Sequence, residues 1–118
     1  MIFLPSLNDC MEKIHTLIKE KHHERSLGDN TLFKKNLFAI LELAEATELI
    51  KKKGINGMND MEIAHYGEEL IDAIFYILDA YGIVYRSGKL KISPDEMFDY
   101  KWKKNMNREK FYGRPKEK

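Results

Sequence analysis

Apolar residues recur along most of the chain at spacings of three and four, the period of an α-helix, and no stretch sustains a period of two. Four helices follow from this pattern. The first starts near Asn8 or Asp9 and carries Met11, Ile14, Leu17 and Ile18 on one side, with Cys10 alongside. It fades through Lys21, His22, His23, Glu24 and Arg25 into a turn at residues 27–30. The second is the best defined. Asn30 or Thr31 caps it, and Phe33, Leu37, Ile40, Leu41, Ala44 and Thr47 form its stripe. It ends at Lys51, Lys52, Lys53 and Gly54. Lysines there meet the negative end of the helix, and glycine accepts the left-handed backbone that closes it.

The third helix begins at Asn59, with Glu62 at capping-box spacing, and runs through Ile63, Tyr66, Leu70, Ile74, Ile77, Leu78 and Tyr81 to a stop at Gly82. Gly67 in its interior costs roughly 1 kcal/mol relative to alanine and marks either a close helix approach or nothing. Residues 82–92 read as a small hairpin or an ordered loop, with Ile83-Val84-Tyr85 and Leu90-Lys91-Ile92 flanking Arg86-Ser87-Gly88-Lys89. The fourth helix opens at Ser93, with Pro94 in its first position and Glu96 completing a box, and reaches about Asn107. Residues 109–118 form a basic tail, expected to be extended from Phe111. The second and third helices are each about 20 residues long, and the turn between them is short, so they should pack antiparallel. The expected fold is all-α: an antiparallel bundle of about four helices in one domain spanning 1–118.

Composition narrows the class. A chain of 118 residues, 43% hydrophobic and 33% charged, fits a folded domain rather than a disordered segment. Its one cysteine, Cys10, allows no intrachain disulfide and suits a reducing compartment. Met1 to Pro5 is apolar but short, lacks a basic lead-in and runs into Asn8 and Asp9, which is no secretory signal. No apolar run approaches bilayer length, so the expectation is a cytoplasmic protein without a membrane partner. Net charge is +1 but uneven. Residues 1–100 carry 12 Lys/Arg and 17 Asp/Glu, and residues 101–118 carry 8 and 2. A basic end on an acidic body suits holding an anion against a metal site, or lying on a nucleic acid.

The acids are not scattered. Glu42 and Glu45 lie three apart on the second helix, and Glu69 and Asp72 three apart on the third. Each pair shares a helical face and borders apolar positions. Glu45 stands about a dozen residues before the turn and Glu69 about a dozen after it, with Glu42 and Asp72 one turn further out. The four carboxylates are therefore expected to converge in an antiparallel pair. Ionised together they repel, and Mg²⁺ or Mn²⁺, which prefer oxygen ligands, remove the conflict. Glu48 extends the same face as a further ligand or a water-positioning base, and Asp79, seven beyond Asp72, holds a base, a lysine or nothing. On the fourth helix Lys101, Asn105 and Arg108 share a face suited to phosphate and sugar. Tyr100 and Trp102 between the lysines also permit base stacking.

Residues 41–49, Leu-Glu-Leu-Ala-Glu-Ala-Thr-Glu-Leu, and 68–79, Glu-Glu-Leu-Ile-Asp-Ala-Ile-Phe-Tyr-Ile-Leu-Asp, resemble the MazG-like all-alpha nucleoside triphosphate pyrophosphohydrolases. That superfamily carries a Glu-x-x-Glu on one helix and a Glu-x-x-Asp on the next. The resemblance covers about residues 33–113 and implies that Glu42, Glu45, Glu69 and Asp72 bind Mg²⁺. Lys101, Asn105 and Arg108 match the family's later Lys-x-x-x-Asn-x-x-Arg, which binds substrate phosphate and sugar. The first motif also permits the register Glu45-x-x-Glu48, with Glu42 outside it.

The implied activity is Mg²⁺-dependent cleavage of a nucleoside or deoxynucleoside triphosphate to the monophosphate and pyrophosphate, with Glu45 or Glu48 helping to deprotonate the water. The alternative is a helical nucleic-acid-binding or structural protein without hydrolase activity. A ferritin-like di-iron site is the weaker rival. Glu62-Ile63-Ala64-His65 is one Glu-x-x-His, and that plan needs two. His15, His22 and His23 read as exposed or structural. The aromatic surplus of Phe33, Phe38, Phe75, Tyr76, Tyr81 and Phe98 points to a homo-oligomer, dimer or tetramer, as the resembled family also implies.

Overall fold

The computed structural model describes residues 5–21, 23, 26–108, 110, 111, 114 and 115. The expectations for Met1–Leu4, for His22, Glu24 and Arg25, and for most of the tail lie outside the described residues. Among the described residues there are four α-helices: α1 (Leu7–Glu20), α2 (Asp29–Lys53), α3 (Asp60–Arg86) and α4 (Pro94–Met106). The fold is all-α, an antiparallel helical bundle. In the tail, Lys110–Phe111 pairs antiparallel with Arg114–Pro115.

Local chemistry sets most of the boundaries. Three helices open on a reciprocal box in which the cap side chain accepts from the third backbone N–H and the third side chain accepts from the cap N–H. These boxes are Ser6 with Asp9, Asn59 with Glu62, and Ser93 with Glu96. The first places the start of α1 at Leu7, slightly ahead of Asn8. α2 has no side-chain cap; it starts at Asp29 after Gly28, so neither Asn30 nor Thr31 caps it. The carboxylate of Asp29 in the first turn meets the positive end of the helix instead. Gly54 closes α2 as expected, at φ 69°, with its N–H donating to the Ile50 carbonyl at 2.7 Å. A 3₁₀ turn, Ile55–Gly57, and the buried Met58 then lead into α3.

α3 corrects two expectations. It does not stop at Gly82, and Ile83-Val84-Tyr85 is helix rather than hairpin. Gly82 serves packing instead. A Cβ added there would lie 3.1 Å from Met11 Cγ of α1 and 2.7 Å from Arg86 Nη1. The absent side chain thus lets α1 and α3 approach and lets the Arg86 guanidinium fold back. Gly67, by contrast, has nothing near enough to mark a close approach. Ser87 ends the helix, and Gly88 turns the chain at φ 84°. The Tyr81 hydroxyl donates to the Ile92 carbonyl at 2.8 Å, tying the returning segment to α3. α4 then docks on the start of α1: Leu7 N–H donates to Asp95 Oδ1 at 2.9 Å, and Asp95 N–H donates to Asn8 Oδ1 at 3.0 Å.

The main packing joins α2 to α3, with α1 laid against α3 through Met11 and Ile14. The α2–α3 pair is antiparallel and its register is well defined. Lys35 meets Asp79, Phe38 meets Tyr76, and Lys53 meets Glu62, pairs placed almost symmetrically about Gly57. The seam carries small and charged residues: Lys35, Ala39, Glu42, Ala46 and Lys53 on α2, and Glu62, Glu69, Ala73 and Asp79 on α3. The apolar stripe of α2 does not face α3. Phe33 is 66% exposed and Leu37, Ile40 and Leu41 are more than half exposed, as are Ile71 and Ile77 of α3. The seam of the hairpin therefore mixes small and charged residues, and much of its apolar surface faces outward. Among the described residues, no helix is long and apolar enough to cross a membrane.

Candidate metal centre

Symmetry about Gly57 puts Glu45 level with Glu69, and Glu42 level with Asp72. Glu42, Glu69 and Asp72 each offer one carboxylate oxygen, and these atoms all lie within 4.8 Å of one another. Glu69 is the most enclosed, at 6% exposure; Glu42 is half-buried and Asp72 exposed, so the cluster opens to solvent on one side. The small side chains of Ala46 and Ala73 in the same seam allow the helix axes to come close enough for short acidic side chains to converge.

The electrostatics are unfavourable without a positive charge. Glu69 has its carboxyl pushed up to about 7, first because the Glu42 carboxylate is placed to share a proton with it. Burial of Glu69 is the second cause, and the neighbouring Glu45 carboxylate the third. Two ionised carboxylates cannot hydrogen-bond, and Glu69 Oε2 is shielded from water with no hydrogen-bond partner among the described residues. The other oxygen, Oε1, accepts from His65 Nε2 at 3.1 Å, one turn earlier on α3. A proton or a cation would resolve the arrangement. The donor set is all oxygen, which fits a hard divalent ion such as Mg²⁺ or Mn²⁺.

The other sequence candidates fall in different places. Glu45 is exposed at the rim and reaches Glu69. Glu48 lies one turn further, exposed, with Lys52 Nζ 3.9 Å away, and does not join the converging oxygens. Glu62 is occupied by its cap and by Lys53 Nζ at 2.6 Å, which removes it from any Glu-x-x-His pairing with His65. On α4, Lys101 is exposed and Arg108 donates from Nη1 to Asn105 Oδ1 at 3.4 Å. Among the described residues, no hydrogen bond or ion pair joins these three to the carboxylates, and α4 packs chiefly on α1.

Asp79 holds a lysine. Lys35 Nζ lies 2.7 Å from Asp79 Oδ2, with the side chains only 16% and 6% exposed. Lys35 escaped the sequence reading, although a signal was present. Lys35 precedes Glu42 by seven residues, and Asp79 follows Asp72 by seven. Residues two turns apart share a face, so the pair continues the seam of the carboxylates. No protein-family model matches the chain, and neither does any curated protein or solved structure.

Proposed function

We propose that this protein is a Mg²⁺-dependent nucleoside triphosphate pyrophosphohydrolase, releasing a monophosphate and pyrophosphate. The observation that carries the proposal is the enclosed Glu69 carboxylate, with an unpartnered oxygen among the described residues and three further acids around it. The resemblance of the two acidic motifs to the MazG-like superfamily supports the reaction class. Glu42, Glu69 and Asp72 hold the ion, with Glu45 completing the set. Mg²⁺ bound there supplies charge neutralisation for phosphate oxygens and an acidified water. A carboxylate not bound to the ion takes a proton from the attacking water: Glu45, exposed at the rim, where it stays outside the set, or Glu48, one turn away. Lys101, Asn105 and Arg108 bind phosphate and sugar.

The same proposal includes assembly. Phe33, Leu37, Ile40 and Leu41 of α2 and Ile71 and Ile77 of α3 are all more than half exposed, and a second copy covering these apolar faces forms a homodimer or tetramer. Assembly would also allow α4 of a neighbouring chain to bring its basic face to the carboxylates.

The test is incubation of the pure protein with each NTP and dNTP plus Mg²⁺, assayed for pyrophosphate, beside the Asp72→Asn variant. Pyrophosphate release by the parent, loss of it in the variant at unchanged helix content, and weaker Mg²⁺ binding are expected. A variant that binds Mg²⁺ and turns over triphosphate like its parent would show the site to be elsewhere.

A further inference from the structure

Beyond the carboxylates, the α2–α3 seam leads to a cavity of about 220 Å³ at the far end of α3. It is walled by Ile18 of α1, Leu27 before α2, and Ile83 of α3, with His15, Asp79 and Arg86 supplying polar groups. Asp72, Asp79 and Arg86 follow one another at seven-residue intervals, so they run along nearly one face of α3. Asp79 is thus roughly 10 Å from Asp72 along the axis, at 1.5 Å per residue.

We infer that this cavity receives the heterocyclic base of the nucleotide whose phosphates lie on the carboxylates; the inference rests on the function proposed above. Three observations support it. The separation is of the order that one sugar spans between phosphate and base. The lining is mixed: Ile18, Leu27 and Ile83 offer apolar contact for a ring face, and His15, Ser26, Asp79, Arg86 and Ser87 offer polar groups. Those polar groups are of both kinds: the Asp79 carboxylate accepts and the Arg86 guanidinium donates, matching a base edge that carries a donor beside an acceptor. Lys35 grips Asp79 Oδ2 from the α2 side and does not line the cavity, so it fixes the carboxylate rather than touching the base. The Arg86 guanidinium lies over Gly82, in space that a side chain there would take.

Two variants test the assignment. Leu27→Trp fills the cavity from an exposed loop position, with little risk to the core. Asp79→Asn exchanges an acceptor oxygen for a donor. In the Mg²⁺-loaded protein, Leu27→Trp should raise KM for nucleoside triphosphates about tenfold, with a smaller change in kcat. Asp79→Asn should alter the order of preference among the four bases. In metal-free buffer, free nucleosides at millimolar concentration should shift the NMR signals of His15 and Ile83 in the parent and not in Leu27→Trp. If Asp72→Asn abolishes turnover while Leu27→Trp leaves KM and Asp79→Asn leaves base order at parental values, the base lies elsewhere and the hydrolase proposal stands. If the parent turns over no triphosphate, the hydrolase proposal fails. The nucleoside shifts then decide alone: their absence overturns the cavity assignment, and their presence at His15 and Ile83 upholds it as a nucleoside site.

Discussion

Replacing Lys35 by methionine measures what the polar seam costs when its charges are unbalanced. Methionine keeps the unbranched stem of lysine but removes the ammonium that lies 2.7 Å from Asp79 Oδ2. An exposed ion pair would make this nearly silent, since such pairs are worth about 1 kcal/mol or less. Here Asp79 is 6% exposed and stays enclosed without its partner. Breaking a buried pair costs about 3–5 kcal/mol. Lys35 retains some water at 16% exposure, which places the loss at the lower end, about 3 kcal/mol. A loss of 1 kcal/mol lowers Tm by about 4 °C near this chain length, so Lys35→Met should melt about 12 °C below its parent. The double variant Lys35→Met with Asp79→Leu removes both charges and should recover most of that loss. Circular dichroism melts at pH 7 and fixed protein concentration give the numbers. A fall of less than about 4 °C for the single variant, or a double variant no more stable than the single, would refute the reasoning.

Three further outcomes follow from the site and its surroundings. The folded Glu69 keeps its proton up to about pH 7, against a reference value of 4.5, so its contribution to metal-free stability is fully present below pH 4.5 and is lost as pH rises through 7. Melts of the parent against Glu69→Gln from pH 4 to 8 should show that slope in the parent alone, and saturating Mg²⁺ should flatten it. Light scattering should give a multiple of the 13.9 kDa chain mass at micromolar concentration, and Phe33→Asp with Ile40→Asp should shift the protein toward monomer; a parental mass of one chain would count against assembly. Lys101→Ala and Arg108→Ala should each raise KM for a triphosphate by about tenfold, the worth of a charge-assisted hydrogen bond, and unchanged kinetics in both would remove them from the substrate site.

What was legible in the sequence was whatever is decided within a few residues. The boxes at Asn59 and Ser93 and the glycine closure at Gly54 are local exchanges between a side chain and its own backbone. The levels of the carboxylates were legible too, because a turn this short leaves little freedom of register. Less legible were the features that depend on a neighbour. Gly82 is a helix stop by local rule, but Met11 of α1 needs its empty side. The stripe of Phe33, Leu37, Ile40 and Leu41 is real as a shared face. Periodicity says which residues lie together and not which element covers them, so the outward direction of that stripe was hidden. Lys35 was hidden for the opposite reason: a single lysine on a helix reads as solvent-facing until its partner, Asp79, is known.

The hairpin turn acts as a length standard for side-chain pairings that lie far from it. Gly54, the single 3₁₀ turn at Ile55–Gly57 and the Asn59 cap leave no slack between α2 and α3. Glu45 and Glu69 each lie twelve residues from Gly57, roughly 18 Å along their helices. Losing one residue from the turn would draw one helix along the other, and each residue of shift also rotates a helical face by about 100°. Glu69 would then meet a different side of α2, and Asp79 would leave Lys35. Sequence changes at the turn that touch neither acid nor base can therefore disable both, whereas equal lengthening at the outer ends of the helices leaves the geometry between them untouched.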